Sequence, residues 1–424
     1  MQNGDMTSDA DCSQQAFERA LGTGADPSGT PWHELAPERL RRQRSSVKWT
    51  RYPDDVLPLF VAEMDFRVAP EIRDELVRRV EASDTGYLAG PGPLESAFAG
   101  FARDRWAWEV PAGHLHLATD VATGIVESLR VARPAGGRLA LSTPCYPGFF
   151  EMLQEVDFEV VELPLRLDPV ASLDLARIER EFSSEAGIDA FILCNPHNPH
   201  GVPFAADELR KLAELAAEHD VFVVSDEIHA PLVHRGASFT PFAPIAAEAG
   251  ALSVTTTSAS KGWNLAGTKC SVIVAADERA ARLLEQLPPE VATRTSILGL
   301  HANVAAFSNA RDWLDRTVAQ IEANQALLVA LIKERIPEAT YVPGTAGYLA
   351  WLDLRDPALA LGEDPSTRLL RDAKVALNSG RDFGLGGAGF ARLNLACSPE
   401  TIVRAVDRIA AVVDGGAAQE GIRS

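Results

Sequence analysis

Apolar residues along this chain come in two rhythms. Short β-rich runs at Arg138–Ser142, Ala190–Asn195, Val221–Asp226, Leu252–Thr257 and Cys270–Ala275 read as β-strands covered on both faces. Between several of them the apolar residues recur at helical spacing, as Leu209, Leu212, Ala213, Leu215 and Ala216 do within Asp207–Glu218. Strands alternating with amphipathic helices make an α/β fold, with a mostly parallel sheet between two helical layers. In such sheets ligands sit at the carboxyl ends of the strands.

After about residue 300 the pattern changes. One long helical region covers Ala302–Glu334, strand-like runs follow at Tyr348–Leu354 and Phe390–Leu395, and a helix closes the chain at Pro399–Val413. This predicts a smaller α+β domain. The Gly-rich stretch Phe383–Gly389 reads as a tight loop. Residues 1–45 read as an irregular arm, and the basic patch Arg39–Arg44 as a solvated turn of helix. The expected division is an arm (1–45), a large domain (46–300, its first residues shared with the small domain) and a small domain (301–424).

Composition narrows the function. A chain of 424 residues with 46% apolar content can build two cores. Its net charge of −19 argues against a nucleic-acid partner, which needs a basic face. It also means that an anionic cofactor would need a locally basic or amide-rich pocket. Five scattered cysteines without a CxxC pair point to a reduced, cytoplasmic protein. The polar N-terminus predicts no signal peptide, and no window approaches the roughly 18 apolar residues of a membrane span. His114 and His116 would share one face of a strand, and His197 and His200 share one turn, but no third ligand has convincing spacing, so no metal is expected.

The residues with chemical potential fall just after strands. Asn195-Pro196-His197-Asn198-Pro199-His200-Gly201 makes a rigid turn that can present the Asn198 amide to a cleft, although a plain strand-to-helix loop would look the same. Ser225-Asp226-Glu227-Ile228-His229 puts a carboxylate at the end of a buried strand, where it needs a partner: backbone amides, or the N–H of a pyridinium. Thr257–Lys269 places Lys261 among small and apolar residues, where desolvation can turn a lysine into an amine nucleophile. The hydroxyls of Ser258 and Ser260 stand close enough in sequence to hold a phosphate.

In this order and spacing the three segments resemble the fold-type I pyridoxal 5′-phosphate (PLP) enzymes, the aminotransferase class I/II superfamily, over about residues 45–412. Leu59-Phe60-Val61-Ala62-Glu63-Met64-Asp65-Phe66, the double Asn-Pro turn and Ser-Asp-Glu-Ile-His look like its cystathionine β-lyase, or cysteine C–S lyase, branch. The resemblance implies a seven-stranded large-domain sheet and a homodimer with shared active sites. It implies that Lys261 carries PLP as a Schiff base and later moves protons. It gives Asp226 to the pyridine nitrogen, Asn198 to the ring 3′-oxygen, and His229 to a position where many aminotransferases serve that oxygen with tyrosine. Tyr146 matches the aromatic stacked on the ring. Thr123, Gly124 and Ile125 match the turn that offers N–H groups to the phosphate, and Ser258 and Lys269 its side-chain partners. Tyr87 matches a residue reaching the site from the neighbouring subunit, and Arg392 the clamp on the substrate α-carboxylate.

The implied reaction begins with loss of the Cα proton, Lys261 acting as base. With a leaving group on Cβ, β-elimination from cystathionine or another cysteine S-conjugate releases a thiol, pyruvate and ammonia. Without one, transamination follows. The sequence departs from the branch at Glu63, His200, Val202, Pro231 and Trp263, where the branch usually carries aspartate, threonine, arginine, an acidic residue and phenylalanine. These changes put the substrate in question. The chain also looks similar to lincosamide-antibiotic PLP enzymes that process cysteine conjugates, some of them by decarboxylation and oxidation.

Overall fold

A computed structural model describes residues 9–168 and 170–420. Its centre is a seven-stranded sheet of β1 (Leu115–Ala118), β2 (Gly137–Thr143), β3 (Phe158–Pro164), β4 (Ala190–Cys194), β5 (Phe222–Asp226), β6 (Ser253–Thr257) and β7 (Ser271–Ala275). The spatial order is β1-β7-β6-β5-β4-β2-β3. Strand β7 runs antiparallel to both neighbours, and the pairs β6/β5, β5/β4, β4/β2 and β2/β3 are parallel. Five of these strands were visible as β-rich runs. The other two, β1 and β3, lie at the sheet edges, where β3 is only half-buried and interleaves polar residues, so its apolar signal is weak.

Alternation along the central strands feeds two separate cores. Ile192, Cys194 and Val224 face the helix α1 (Val121–Ala132), which contributes Ile125 and Leu129. Phe191, Leu193 and Val223 face the other way, onto Leu209, Leu212 and Ala216 of α2 (Ala206–Glu218). Both faces are therefore dry, as a parallel sheet requires.

The second sheet is antiparallel and has four strands, Thr340–Tyr341, Leu349–Asp353, Phe390–Asn394 and Asn378–Ser379 in spatial order. Its core also takes in Leu57 and Leu59, because Leu57–Pro58 pairs in parallel with Val375–Ala376.

Three expectations need correction. The described part of the arm is largely ordered: Asp9–Leu21 is a helix whose Ala16, Phe17 and Ala20 pack onto the second core. The basic patch is not solvated throughout. Arg41 donates to the carbonyls of Trp49, Tyr52 and Val56, and Arg44 to those of Met64, Asp65 and Phe66. The long helical region breaks into Ile297–Asn309 and Arg311–Arg335, because Ala310 leaves helical geometry with its carbonyl held by Trp263 Nε1 at 2.8 Å. No described helix is long and apolar enough to cross a membrane.

Candidate active site

The carboxyl ends of β4, β5 and β6 converge on a cavity of about 240 Å³. Asn198, Asp226, His229, Ser258, Ser260 and Lys261 line it from those ends, and Tyr146 and Lys269 close it. The first six lie at the end of a buried strand or within a few residues after it, which fixes where the backbone emerges, and Lys269 precedes β7.

Lys261 sits in the short helix Ala259–Gly262 after β6, and its Nζ donates to the Ala62 carbonyl at 3.0 Å. Burial and the charge of Arg392 press its amine down to about 8, against the pull of Asp226 and Glu63. Asp226 ends β5. Burial lifts its carboxyl to about 6, opposed by the Ile228 N–H on Oδ1 (3.1 Å) and by the Lys261 charge. Its second oxygen has no protein partner among the described residues. His229 is buried, and burial with the charges of Lys261 and Arg392 drives its imidazole down to about 3, so it is neutral.

Arg392 enters from the second sheet, directly opposite Trp351 on one neighbouring strand and Asn378 on the other. Its guanidinium donates to Asn198 Oδ1 (3.0 Å) and Asn378 Oδ1 (2.7 Å) and stacks over Phe383 at 5.1 Å. Burial lowers it to about 10, which leaves it charged. Among the described residues Lys261, Asp226 and Arg392 make no ion pair with each other or with any other group. Two charged groups in one cavity and a third against its wall, all without direct counter-ions, are costly unless a ligand supplies the complement.

The family model described as aminotransferase class I and II matches residues 55–409. The chain belongs to the aminotransferase class I and II family. Within it, the chain is similar to a Mycobacterium tuberculosis protein named provisionally as a cystathionine beta-lyase, at 40% identity over 401 residues (89% of this chain, 97% of that one). The cystathionine beta-lyase of Corynebacterium glutamicum is 33% identical over 376 residues (89% and 98%). A Corynebacterium diphtheriae crystal structure, described provisionally as a PLP-dependent beta-cystathionase, superposes with a TM-score of 0.82 at 36% identity (89% and 97%).

Several expected site residues of this aminotransferase-family chain stand elsewhere. Thr123, Gly124 and Ile125 do not offer free N–H groups: Thr123 N–H is capped by Asp120 Oδ1, Gly124 N–H bonds the Asp120 carbonyl, and Ile125 is buried in the sheet-facing core. The helix begins two residues earlier, so the N–H groups without partners among the described residues are those of Val121 and Ala122, which line the cavity. Counting back from the first apolar turn to its cap, Asp120, would have found them. Ser258 does line the cavity, and its hydroxyl donates to the Cys270 carbonyl at 2.7 Å. Tyr87 is 93% exposed and does not join this chain's cavity.

Sequence reading also missed Ala62 and Tyr348. The Ala62 carbonyl accepts from both Lys261 Nζ and the Tyr348 hydroxyl, each at 3.0 Å. A backbone acceptor leaves no residue-type signal. The segment bearing it is clamped: Lys48 holds the Glu63 carbonyl and Asp65 Oδ1, and Asn264 holds the N–H and carbonyl of Met64. Among the described residues no group of three or more His, Cys, Asp or Glu could hold a metal.

Proposed function

We propose that this chain is a PLP-dependent carbon–sulfur lyase. It cleaves the Cβ–S bond of cystathionine or another cysteine S-conjugate and, with water, yields a thiol, pyruvate and ammonia. The observation that carries the reading is the set of three charges without counter-ions: Lys261 and Asp226 line the cavity, and Arg392 stands behind its wall, bonded to the lining residue Asn198. The names of the relatives point to the same chemistry.

The cavity suits the cofactor. An amine near neutrality meets its aldehyde carbon, a lone carboxylate oxygen meets its ring nitrogen, and the Val121 and Ala122 amides with Lys269 meet its phosphate. Bound there, PLP supplies an electron sink for the bond-breaking steps. The chain's own residues do the rest. Arg392 takes the substrate α-carboxylate with a planar fork already oriented by two asparagine oxygens. Lys261, with its amine near 8, holds a useful fraction of free base at neutral pH and accepts the Cα proton. Asp226 holds a ring N–H and keeps it cationic. Asn198, His229 and Tyr146 position the ring, with His229 neutral and so able to donate or accept a single hydrogen bond.

On this reading the active form is a homodimer in which Tyr87 of the partner subunit completes the phosphate end. The 93% exposure of Tyr87 in one chain supports that role. Four of the five free cysteines are buried, which supports a reducing, cytoplasmic setting. The chain divides into an arm (1–45), a cofactor-holding part (46–300) and a small part (301–424) that brings Arg392. The test is turnover of L-cystathionine and simple S-alkyl cysteines by the PLP-loaded protein. Equal amounts of pyruvate and thiol are expected. A 2-oxo acid that retains sulfur, with no thiol released, would replace elimination by transamination, and oxygen uptake would replace it by oxidative processing.

A further inference from the structure

Asp120 caps α1 from the cavity wall. Its Oδ1 accepts from the Thr123 N–H and hydroxyl, both at 2.9 Å, and its Oδ2 pairs with Lys269 Nζ at 2.8 Å. Burial works against its charge, but Lys269 and Thr123 outweigh that, and its carboxyl lies below the usual carboxylate range. Lys269 is the side-chain cation at this end of the cavity, so the pair carries no net charge. What remains for an anion is the pair of free N–H groups of Val121 and Ala122 at the helix start, a partial charge of about half a unit. A phosphate brought there meets a carboxylate as well as these donors.

We infer that Asp120 weakens cofactor retention: its carboxylate neutralises Lys269 and opposes the phosphate at the start of α1. The cofactor is then held less tightly than the same site would hold it without that carboxylate. The inference rests on the PLP reading above. It concerns the phosphate and not the ring, which sets its test.

Asp120→Asn removes the charge and keeps an oxygen for the Thr123 N–H, asparagine being as good an N-cap as aspartate. Asp120→Ser does the same with a smaller side chain. Dissociation constants for PLP and for pyridoxal, which lacks the phosphate, are measured by equilibrium dialysis on cofactor-free wild type and both variants, with thermal melting to confirm folding. PLP affinity is expected to rise by about tenfold in the variants, as for removal of a like charge in a partly exposed site, while pyridoxal affinity stays within about twofold. An unchanged or weaker PLP affinity would overturn the inference, the latter showing that Asp120 serves to hold Lys269 in place. An equal gain for PLP and pyridoxal would also overturn it. No PLP binding by any of the proteins would overturn the cofactor reading itself, and this inference with it.

Discussion

Replacing Arg392 by lysine keeps the charge and removes the fork. The guanidinium now bonds Asn198 and Asn378 at 3.0 and 2.7 Å while lying over Phe383, and it is 4% exposed. A lysine ammonium in that place can satisfy the two asparagine oxygens or a carboxylate, but not all of them with paired geometry. Loss of one charge-assisted hydrogen bond costs about 1.5–3 kcal/mol, and losing the stack on Phe383 adds about 0.5–1 kcal/mol. A total of about 3 kcal/mol corresponds to roughly a hundredfold fall in kcat/KM. The α-carboxylate is held alike before and during bond breaking, so the fall should appear chiefly in KM. Initial rates of pyruvate release across a range of S-conjugate concentrations separate the two constants, with thermal melting as the folding control. A KM within about threefold of wild type, or a fall confined to kcat, would refute the role given to Arg392.

Three further outcomes are expected. Glu227 is buried with one oxygen unpartnered, and burial raises its carboxyl from 4.5 to about 8. The stability of its protonated form is intact below 4.5 and is lost as pH climbs through 8, so Glu227→Gln should stabilise the protein by on the order of 2 kcal/mol near pH 9 and little near pH 4; a gain that does not vary with pH would contradict this. Lys48→Met should destabilise by about 3–5 kcal/mol in urea unfolding, because it strands Asp65 in the core, and a change under about 1 kcal/mol would show the pair to be dispensable. In the cofactor-free protein the reactivity of Lys261 toward an amine-selective reagent should be half-maximal at about pH 8, and a midpoint near the ordinary 10.5 would remove its claim to be a proton acceptor at neutral pH.

The parts of the fold legible in the sequence were those where one force dominates. Strands β4 to β7 are fully buried runs of β-forming residues, apolar in β4 and β7 and threonine-rich in β6, because both faces of the sheet are covered, and Asp226, Asn198 and Lys261 stood out because charged or amide side chains after such runs are expensive without a purpose. The helix Asp9–Leu21 was not legible: its apolar residues are few, and it gains its stability from packing on the second core. The start of α1 was not legible because the Thr-Gly pair at 123–124 resembles a loop, whereas Gly124 packs against Ile273 and Thr256 inside α1. Contacts made through backbone, such as Lys261 on the Ala62 carbonyl, depend on tertiary placement, and no spacing rule announces them.

The central claim is that Lys261 carries the cofactor. The chain has six lysines, so covalent mapping is unambiguous. Protein purified with PLP, reduced with borohydride and digested should show the phosphopyridoxyl mass on the Lys261 peptide, with no such adduct in Lys261→Ala. An adduct on another lysine, or none in wild type, would contradict the account.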